Sequence, residues 1–388
     1  MSSILIVMGT VMDISKQENK EYDFASSMQP MLGQQNLVKN ALQDLALDTH
    51  AIEEVMTYAA TGIDKHRTIF IDWLASKNIH TAAETLVFTQ GAQQGIYTCL
   101  QILTHKEDFI LHEELAYPGF FRAVDACGLK PLAVPLTKDG LDTEALEHYC
   151  QQHRPKVLYI TPNMQNPTNI RYTAEVLEKI VALSQQYDFY IIEDDVNYCL
   201  PEDWRTPLQQ LAADRVFYVS SLSKYVAGGL RIAFTLVPEG WQKEFNLNLH
   251  SQCWMVSTIN IELASRFLMH ESFQYNQELL AQEMRYRQKR FMEFSVKHHL
   301  EATEGGLNVW LKLPPQFNMN QLSGYLNSKN IKVRTADLFN HPATTPTKEN
   351  AIRMALGSFT YREEFDQALT AFESSLLEFI SHQQEPVI

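Results

Sequence analysis

One lysine in this sequence stands where it can act as a nucleophile. Lys224 lies in SSLSKYVAGGLR, a glycine-containing segment directly after the apolar run RVFYV. A lysine just beyond a buried strand loses hydration, which lowers its pKa and frees the amine to attack a carbonyl group. In the same segment Ser221, Ser223 and Arg231 offer hydroxyl and guanidinium donors that suit a phosphate dianion. Because an isolated lysine of this kind is more often a solvated loop residue, the interpretation depends on its neighbours.

Polar residues also end two earlier apolar runs. EDD at 193–195 follows FYII, and TPNMQNPTN at 161–169 follows VLYI. The carboxyl ends of parallel strands share one edge of a sheet, where α/β proteins bind ligands. A buried aspartate at this edge would keep a pyridine nitrogen protonated. Asn166, held by the Asn-Pro turn, would donate to a ring oxygen.

Two further segments point to the same site. TQGAQQG at 89–95 has the pattern of a strand, a glycine turn and a helix start, which forms a backbone anion site. Tyr117, in AYPGF, offers a flat ring that could stack on an aromatic cofactor. Each segment alone is more often structural, but their order at successive strand ends predicts one cofactor site.

The elements between these segments alternate between strand and helix. Predicted strands and helices follow one another from Thr85 to Val219, and continuously apolar strands favour a mainly parallel sheet covered on both faces. After about residue 278 a charged helix, a glycine pair and short strands predict a smaller α+β unit. We therefore expect a segment 1–45 packing on the small domain, a large domain 46–283 and a small domain 284–388.

Composition excludes several classes of protein. The 388 residues are 45% apolar and 20% charged with a net charge of −14, and no block of basic residues occurs, so we expect a compact protein without nucleic-acid partners. Five cysteines without CxxC spacing predict a reducing, cytoplasmic setting and no metal site. The apolar stretch 4–12 is a poor signal peptide and too short to span a membrane.

From about Tyr22 to its end, the chain resembles the fold type I pyridoxal-phosphate enzymes. Within them it is similar to the aminotransferase domain of MocR-type proteins and to 2-aminoadipate and kynurenine aminotransferases. The resemblance is carried by YDFAS, GAQQG, YPGFF, NPTN, EDD, SLSK with GLR, and IRMALGSF. MocR proteins carry a winged-helix domain ahead of this region, and we expect none here, since about twenty residues precede YDFAS.

The resemblance implies a role for each residue around the cofactor ring. Lys224 forms a Schiff base with pyridoxal 5'-phosphate and moves the substrate proton, and Asp194, preferred to Asp195, pairs with the ring nitrogen. Asn166 contacts the ring oxygen and Tyr117 stacks on the ring. The remaining contacts are to the phosphate, from Ala92, Gln93, Ser221, Ser223, Arg231 and, across a homodimer interface, Tyr58.

The resemblance also implies a reaction, an amino-group exchange between an α-amino acid and a 2-oxo acid, with Arg353 binding the substrate α-carboxylate. One departure leaves alternatives open. Where many relatives carry a tyrosine three residues after Asp194, this chain has Asn197 followed by Tyr198. Either Tyr198 takes that role or the chemistry is slower, so a lyase or decarboxylase, and a sensor without turnover, stand beside the aminotransferase.

Overall fold

The computed structural model describes residues 20–59 and 63–384. The apolar stretch 4–12 lies outside these residues. In the described part of the chain the strands are β1 (Tyr22–Asp23), β2 (Leu86–Thr89), β3 (Phe109–Glu113), β4 (Lys130–Val134), β5 (Leu136–Thr137), β6 (Gly140–Leu141), β7 (Val157–Ile160), β8 (Tyr190–Asp194), β9 (Val216–Ser221), β10 (Ala233–Leu236), β11 (Ala302–Gly305), β12 (Asn308–Lys312), β13 (Ile331–Lys332), β14 (Arg334–Thr335) and β15 (Ala351–Ala355).

The helices of the same residues alternate with these strands through the middle of the chain. They are α1 (Gln34–Leu47), α2 (Thr49–Val55), α3 (Asp64–Ala75), α4 (Ala92–Leu103), α5 (Pro118–Cys127), α6 (Thr143–His153), α7 (Ala174–Tyr187), α8 (Gln242–Cys253), α9 (Thr258–Met269), α10 (Glu271–Lys297), α11 (Met319–Ser328) and α12 (Arg362–Gln384).

A mainly parallel sheet forms the centre of the fold. Among the described residues its order is β2-β10-β9-β8-β7-β3-β4, and β10 alone runs antiparallel to its neighbours. The strands are apolar throughout because both faces are covered. One face packs on α4, α5 and α8, and the other packs on α6 and α7. The predicted α/β class is therefore confirmed, whereas β10 was not anticipated.

Side-chain caps fix where the covering helices begin. Asp142 accepts hydrogen bonds from the Glu144 and Ala145 amides, both at 3.0 Å, at the start of α6. Thr173 accepts one from the Val176 amide at the start of α7. Such caps satisfy amide groups that the helix itself leaves without partners.

The carboxyl-terminal part forms a second sheet, in the order β11-β12-β15-β14 among the described residues and antiparallel throughout. Strand β1 pairs with β13, and Phe24 packs against Phe359 in the same core. Helix α1, by contrast, packs on α9. The expected boundary at residue 283 falls inside α10, which runs without a break. In the described ranges, no helix combines the length and apolarity that crossing a membrane requires.

Candidate active site

One cavity of about 500 Å³ opens at the carboxyl ends of β7, β8 and β9 and at the start of α4. Ten residues that the sequence singled out line it: Ala92, Gln93, Tyr117, Asn166, Asp194, Ser221, Ser223, Lys224, Arg231 and Arg353. They come from segments more than 250 residues apart. The alternation of strand and helix places them together because parallel strands deliver their carboxyl ends to one edge.

Lys224 stands at the end of the short helical turn that follows β9. Its Nζ donates a hydrogen bond to the Ser27 carbonyl oxygen. Burial, with a smaller contribution from the nearby charge of Arg353, lowers the pKa of Lys224 to about 8. A neutral amine is therefore accessible near neutral pH, as nucleophilic attack on a carbonyl requires.

Asp194 is the last residue of β8 and faces the cavity. Burial raises its pKa to about 6, while hydrogen bonds from the Tyr159 hydroxyl (2.6 Å) and the Val196 amide (3.1 Å) oppose that rise. Asp195 does not line the cavity, and its carboxylate instead accepts a hydrogen bond from the Tyr218 hydroxyl at 2.5 Å. The alternation of side chains along a strand separates the two acids.

Arg353, on β15, closes the opposite wall. Its Nη1 donates to Asn166 Oδ1 (3.1 Å) and its Nη2 to the Ala25 carbonyl oxygen (2.7 Å). The Nε of Arg353 is buried and has no hydrogen-bond partner among the described residues. Burial lowers the pKa of Arg353 to about 10, with Arg334 contributing in the same direction. A buried guanidinium with an unpartnered donor is suited to bind a carboxylate.

A buried carboxylate supports the loop that carries Asn166. Glu113, at the end of β3, accepts hydrogen bonds from the Thr161 amide (2.9 Å), the Thr161 hydroxyl (2.8 Å), Gln165 Nε2 (3.0 Å) and the Tyr172 hydroxyl (2.8 Å). Burial raises the pKa of Glu113 to about 7 despite these bonds. Four donors converging on one carboxylate fix the loop in place.

Donors for an anion lie at the start of α4. Amide groups in the first turn of a helix have no partner within it, and those of Ala92 and Gln93 belong to cavity-lining residues. The preceding Gly91 has φ 79°, and a Cβ there would lie 2.1 Å from Arg231 Nη2, so glycine lets the guanidinium approach. Close by, Ser221 Oγ and Ser223 Oγ are 2.7 Å apart.

Tyr117 precedes α5, and its ring lies against Gly119, where a Cβ would come within 2.3 Å of the ring. Tyr58 lies elsewhere: its side chain is 85% exposed, its ring is 6.2 Å from that of Trp254, and it does not line the cavity of its own chain. A contribution from Tyr58 thus requires a second subunit.

The structure also separates the two residues after Asp194 that left alternatives open. Asn197 lines the cavity and its Nδ2 donates to the Met164 carbonyl oxygen at 2.9 Å. Tyr198 is 4% exposed and packs against Tyr225, with ring centroids 5.5 Å apart. Tyr198 does not line the cavity, so Asn197 occupies the position facing the site.

Several residues of the site were not predicted. Tyr159 is the one polar side chain of β7, and Glu113 follows His112 at the end of the otherwise apolar β3; these polar positions were the only signal in the sequence. Arg122 and Arg334 line the cavity but belong to no motif, and Ser27 is brought in by the amino-terminal segment. Their positions depend on how distant segments pack.

Comparison with known proteins places these features in context. The family described as aminotransferase class I and II matches residues 21–372. The HTH-type transcriptional regulator YdeF of Bacillus subtilis is 24% identical over 74% of this chain, and the chain spans 62% of that relative's length. The 2-aminoadipate transaminase of Thermus thermophilus is 25% identical over 68% of each chain.

Solved structures show the same fold. The α-aminoadipate aminotransferase LysN of Thermus thermophilus, solved with N-(5'-phosphopyridoxyl)-L-leucine, has a TM-score of 0.83 at 20% identity and covers 93% of both chains. The Pyrococcus horikoshii kynurenine aminotransferase has a TM-score of 0.84 at 18% identity and covers 95% of this chain and 93% of that one. At these identities the likeness establishes the fold.

Proposed function

Because this chain belongs to the aminotransferase class I and II family, we propose that it is a pyridoxal 5'-phosphate-dependent aminotransferase. It exchanges an amino group between an α-amino acid and a 2-oxo acid. The observation that carries the proposal is the convergence of Lys224, Asp194 and Arg353 on one cavity. These residues supply an amine, a buried acid and a carboxylate-binding guanidinium, which are the groups this reaction needs.

The residues of the cavity fit the cofactor at each of its functional groups. Lys224, with its lowered pKa, suits the aldehyde, and the Asp194 carboxylate suits a protonated ring nitrogen. Asn166 would contact the ring oxygen and Tyr117 would stack on the ring. The phosphate would be held by the amides of Ala92 and Gln93 and by the side chains of Ser221, Ser223 and Arg231.

When bound, the cofactor supplies a ring that stabilises negative charge at the substrate Cα. The chain's own residues control the reaction around it. Asp194 holds a proton on the ring nitrogen, and Tyr159 fixes that carboxylate with its 2.6 Å hydrogen bond. Arg353 would orient the α-carboxylate, so that the Cα proton lies within reach of Lys224 Nζ. Lys224 would remove that proton from Cα and deliver it to the carbon that carried the cofactor's aldehyde group.

The assembly and setting belong to the same proposal. A homodimer would bring Tyr58 of one subunit to the phosphate of the other, consistent with its exposure in the single chain. The five cysteines are free, which agrees with a cytoplasmic protein. The proposed partners are therefore small amino acids and 2-oxo acids together with a second copy of the chain, and neither nucleic acid nor a membrane.

A half-reaction tests the proposal. Protein loaded with pyridoxal 5'-phosphate is mixed with single amino acids, and the products are separated by chromatography. We expect equal amounts of pyridoxamine 5'-phosphate and a 2-oxo acid, and none from Lys224→Ala. Release of ammonia without pyridoxamine 5'-phosphate would indicate a lyase. Saturable binding without any product would indicate a sensor, and either result would overturn the proposal.

A further inference from the structure

We propose that Arg334, together with Arg122, forms a subsite for a second acidic group on the substrate. The inference rests on the proposed function and deepens it, since it names the class of substrate. The amino donor and the 2-oxo acceptor would be dicarboxylic, with the α-carboxylate on Arg353 and the side-chain carboxylate on the subsite.

The strand register places Arg334 beside the α-carboxylate site. In the antiparallel pair β14–β15, Arg334 lies directly opposite Arg353, and both residues line the cavity. Side chains of directly opposed residues project from the same face, and like charges in that arrangement repel. Burial is the main cause of the lowered pKa of Arg353, and the charge of Arg334 adds to it in the same direction. Two opposed guanidinium groups facing one cavity are stabilised by bound anions.

Neither Arg334 nor Arg122 has another use in the structure. Both side chains are exposed at the cavity, and neither makes a hydrogen bond or an ion pair with a described residue. By contrast, Arg353 is held by Asn166 and by the Ala25 carbonyl oxygen. The unpaired arginines lie on separate elements, α5 and β14, which only the cavity brings together.

The cavity wall has more positive than negative side chains. Among residues 20–59 and 63–384, its wall carries four arginines and Lys224 but one carboxylate, Asp194. In the proposed function the phosphate takes Arg231, the substrate α-carboxylate takes Arg353, and Lys224 reacts as a neutral amine. Arg122 and Arg334 then remain at the cavity wall without a counter-charge from the described residues. A substrate with a second carboxylate supplies that charge, whereas an apolar side chain leaves both unpaired.

The first experiment measures specificity. We compare kcat/KM for glutamate and 2-aminoadipate with that for norvaline and norleucine, using wild-type holoenzyme, Arg334→Gln and Arg122→Gln. The wild-type protein should prefer the dicarboxylic substrates. In Arg334→Gln the ratio of kcat/KM for the dicarboxylic substrates to kcat/KM for norvaline and norleucine should fall by about tenfold to a hundredfold, the effect of losing a charged hydrogen bond. Arg154→Gln is the matched control: this exposed residue lies before β7, at the opposite edge of the sheet.

The second experiment measures binding without turnover. Glutarate and pentanoate have the same number of carbon atoms but two carboxylates and one, and neither has an amino group to transfer. Calorimetric titration of the wild-type holoenzyme should give tighter binding of glutarate by about tenfold. Arg334→Gln should remove most of that difference, whereas Arg154→Gln should retain it.

The two experiments separate the inference from the proposed function. If amino-group transfer proceeds but the substrate ratio is the same in wild type and Arg334→Gln, the subsite is refuted and the aminotransferase stands. If no amino acid is converted but glutarate is preferred through Arg334, the subsite stands and the reaction does not. Equal binding of glutarate and pentanoate by the wild-type protein refutes the subsite whatever the activity.

Discussion

Tyr159 donates a 2.6 Å hydrogen bond from its hydroxyl to Asp194 Oδ2 beneath the candidate cofactor site. The two residues lie on the neighbouring parallel strands β7 and β8, and the Tyr159 ring stacks on Phe120 with centroids 3.9 Å apart. Burial favours the neutral acid, while the hydrogen bond favours the carboxylate. Tyr159 is thus a positioning residue that keeps Asp194 ionised and oriented.

Replacing Tyr159 with phenylalanine tests that role. Without the hydroxyl the pKa of Asp194 rises above its present value of about 6, so the acidic side of the pH–activity profile moves to higher pH. The sign follows because Asp194 must be ionised and is protonated as the pH falls. Activity at pH 8 should drop by about tenfold. Asp194→Asn should lower the activity further, by about a hundredfold or more. An unshifted pH–activity profile in Tyr159→Phe would contradict the role assigned to Tyr159.

The reactivity of Lys224 should depend on pH in a defined direction. Because the neutral amine attacks the aldehyde and its pKa is lowered to about 8, trapping of added pyridoxal 5'-phosphate by borohydride should increase with pH around that value. Arg353→Gln removes a neighbouring positive charge, so the midpoint should move to higher pH. Peptide mass spectrometry locates the label. A profile centred near the ordinary lysine value of 10.5 would refute the burial argument.

Glu113→Gln should destabilise the loop that holds Asn166. An amide group in place of the carboxylate directs its own N–H groups at the donors of Thr161, Gln165 and Tyr172. We expect a loss of about 1–3 kcal/mol in the free energy of unfolding, measured with urea, together with reduced activity. Glu114→Gln is the matched control, since Glu114 accepts one bond, from the Leu136 amide.

The same carboxyl group predicts how stability varies with pH. The pKa of Glu113 is about 7 in the folded protein against an ordinary 4.5, so the folded state binds more protons between these values. The unfolding free energy of the wild-type protein should therefore fall, relative to that of Glu113→Gln, as the pH rises from about 4.5 to about 7. A difference that is constant across this window would contradict the assigned pKa.

Asn197 and Tyr198 should respond differently to substitution. Tyr198→Phe keeps the packed ring outside the cavity, so its activity should stay within about twofold of wild type. Asn197→Ala removes a cavity side chain and its hydrogen bond to the Met164 carbonyl oxygen, and kcat/KM should fall by about threefold to tenfold. Steady-state kinetics measure both effects. A larger loss of kcat/KM in Tyr198→Phe than in Asn197→Ala would indicate that Tyr198 acts at the ring oxygen.

Complementation tests whether Tyr58 acts across a dimer. Tyr58→Ala and Lys224→Ala should each have low activity alone. In a mixed dimer one site pairs the intact Lys224 of one chain with the intact Tyr58 of the other, so equal mixing after dissociation should restore about a quarter of wild-type activity. Mixing two Lys224→Ala preparations is the control. No recovery, with mixed dimers demonstrated by differential tags, would assign Tyr58 to its own subunit or to no site.

Much of this protein was determined by local sequence. Lys224, Asp194 and Asn166 each follow an apolar run, and strands that alternate with helices deliver such residues to one sheet edge whatever the details of packing. The order of the motifs therefore predicted the fold class and ten residues that now share a cavity. The starts of α6 and α7 were likewise predicted to within a residue or two. Their cap residues, Asp142 and Thr173, bond to amide groups of the same short segment, so the start of each helix depends on local sequence.

Tertiary structure decided what no local pattern encodes. The antiparallel β10, the pairing of Arg334 with Arg353, and the bonds from Tyr159 to Asp194 and from four donors to Glu113 join residues distant in the chain. Which of Asn197 and Tyr198 faces the cavity was also settled there, since both follow the end of β8 and the packing of the Tyr198 ring against Tyr225 draws it away from the site. Sequence records a residue's type and its neighbours, whereas its charge state and its partners depend on the atoms that folding places around it.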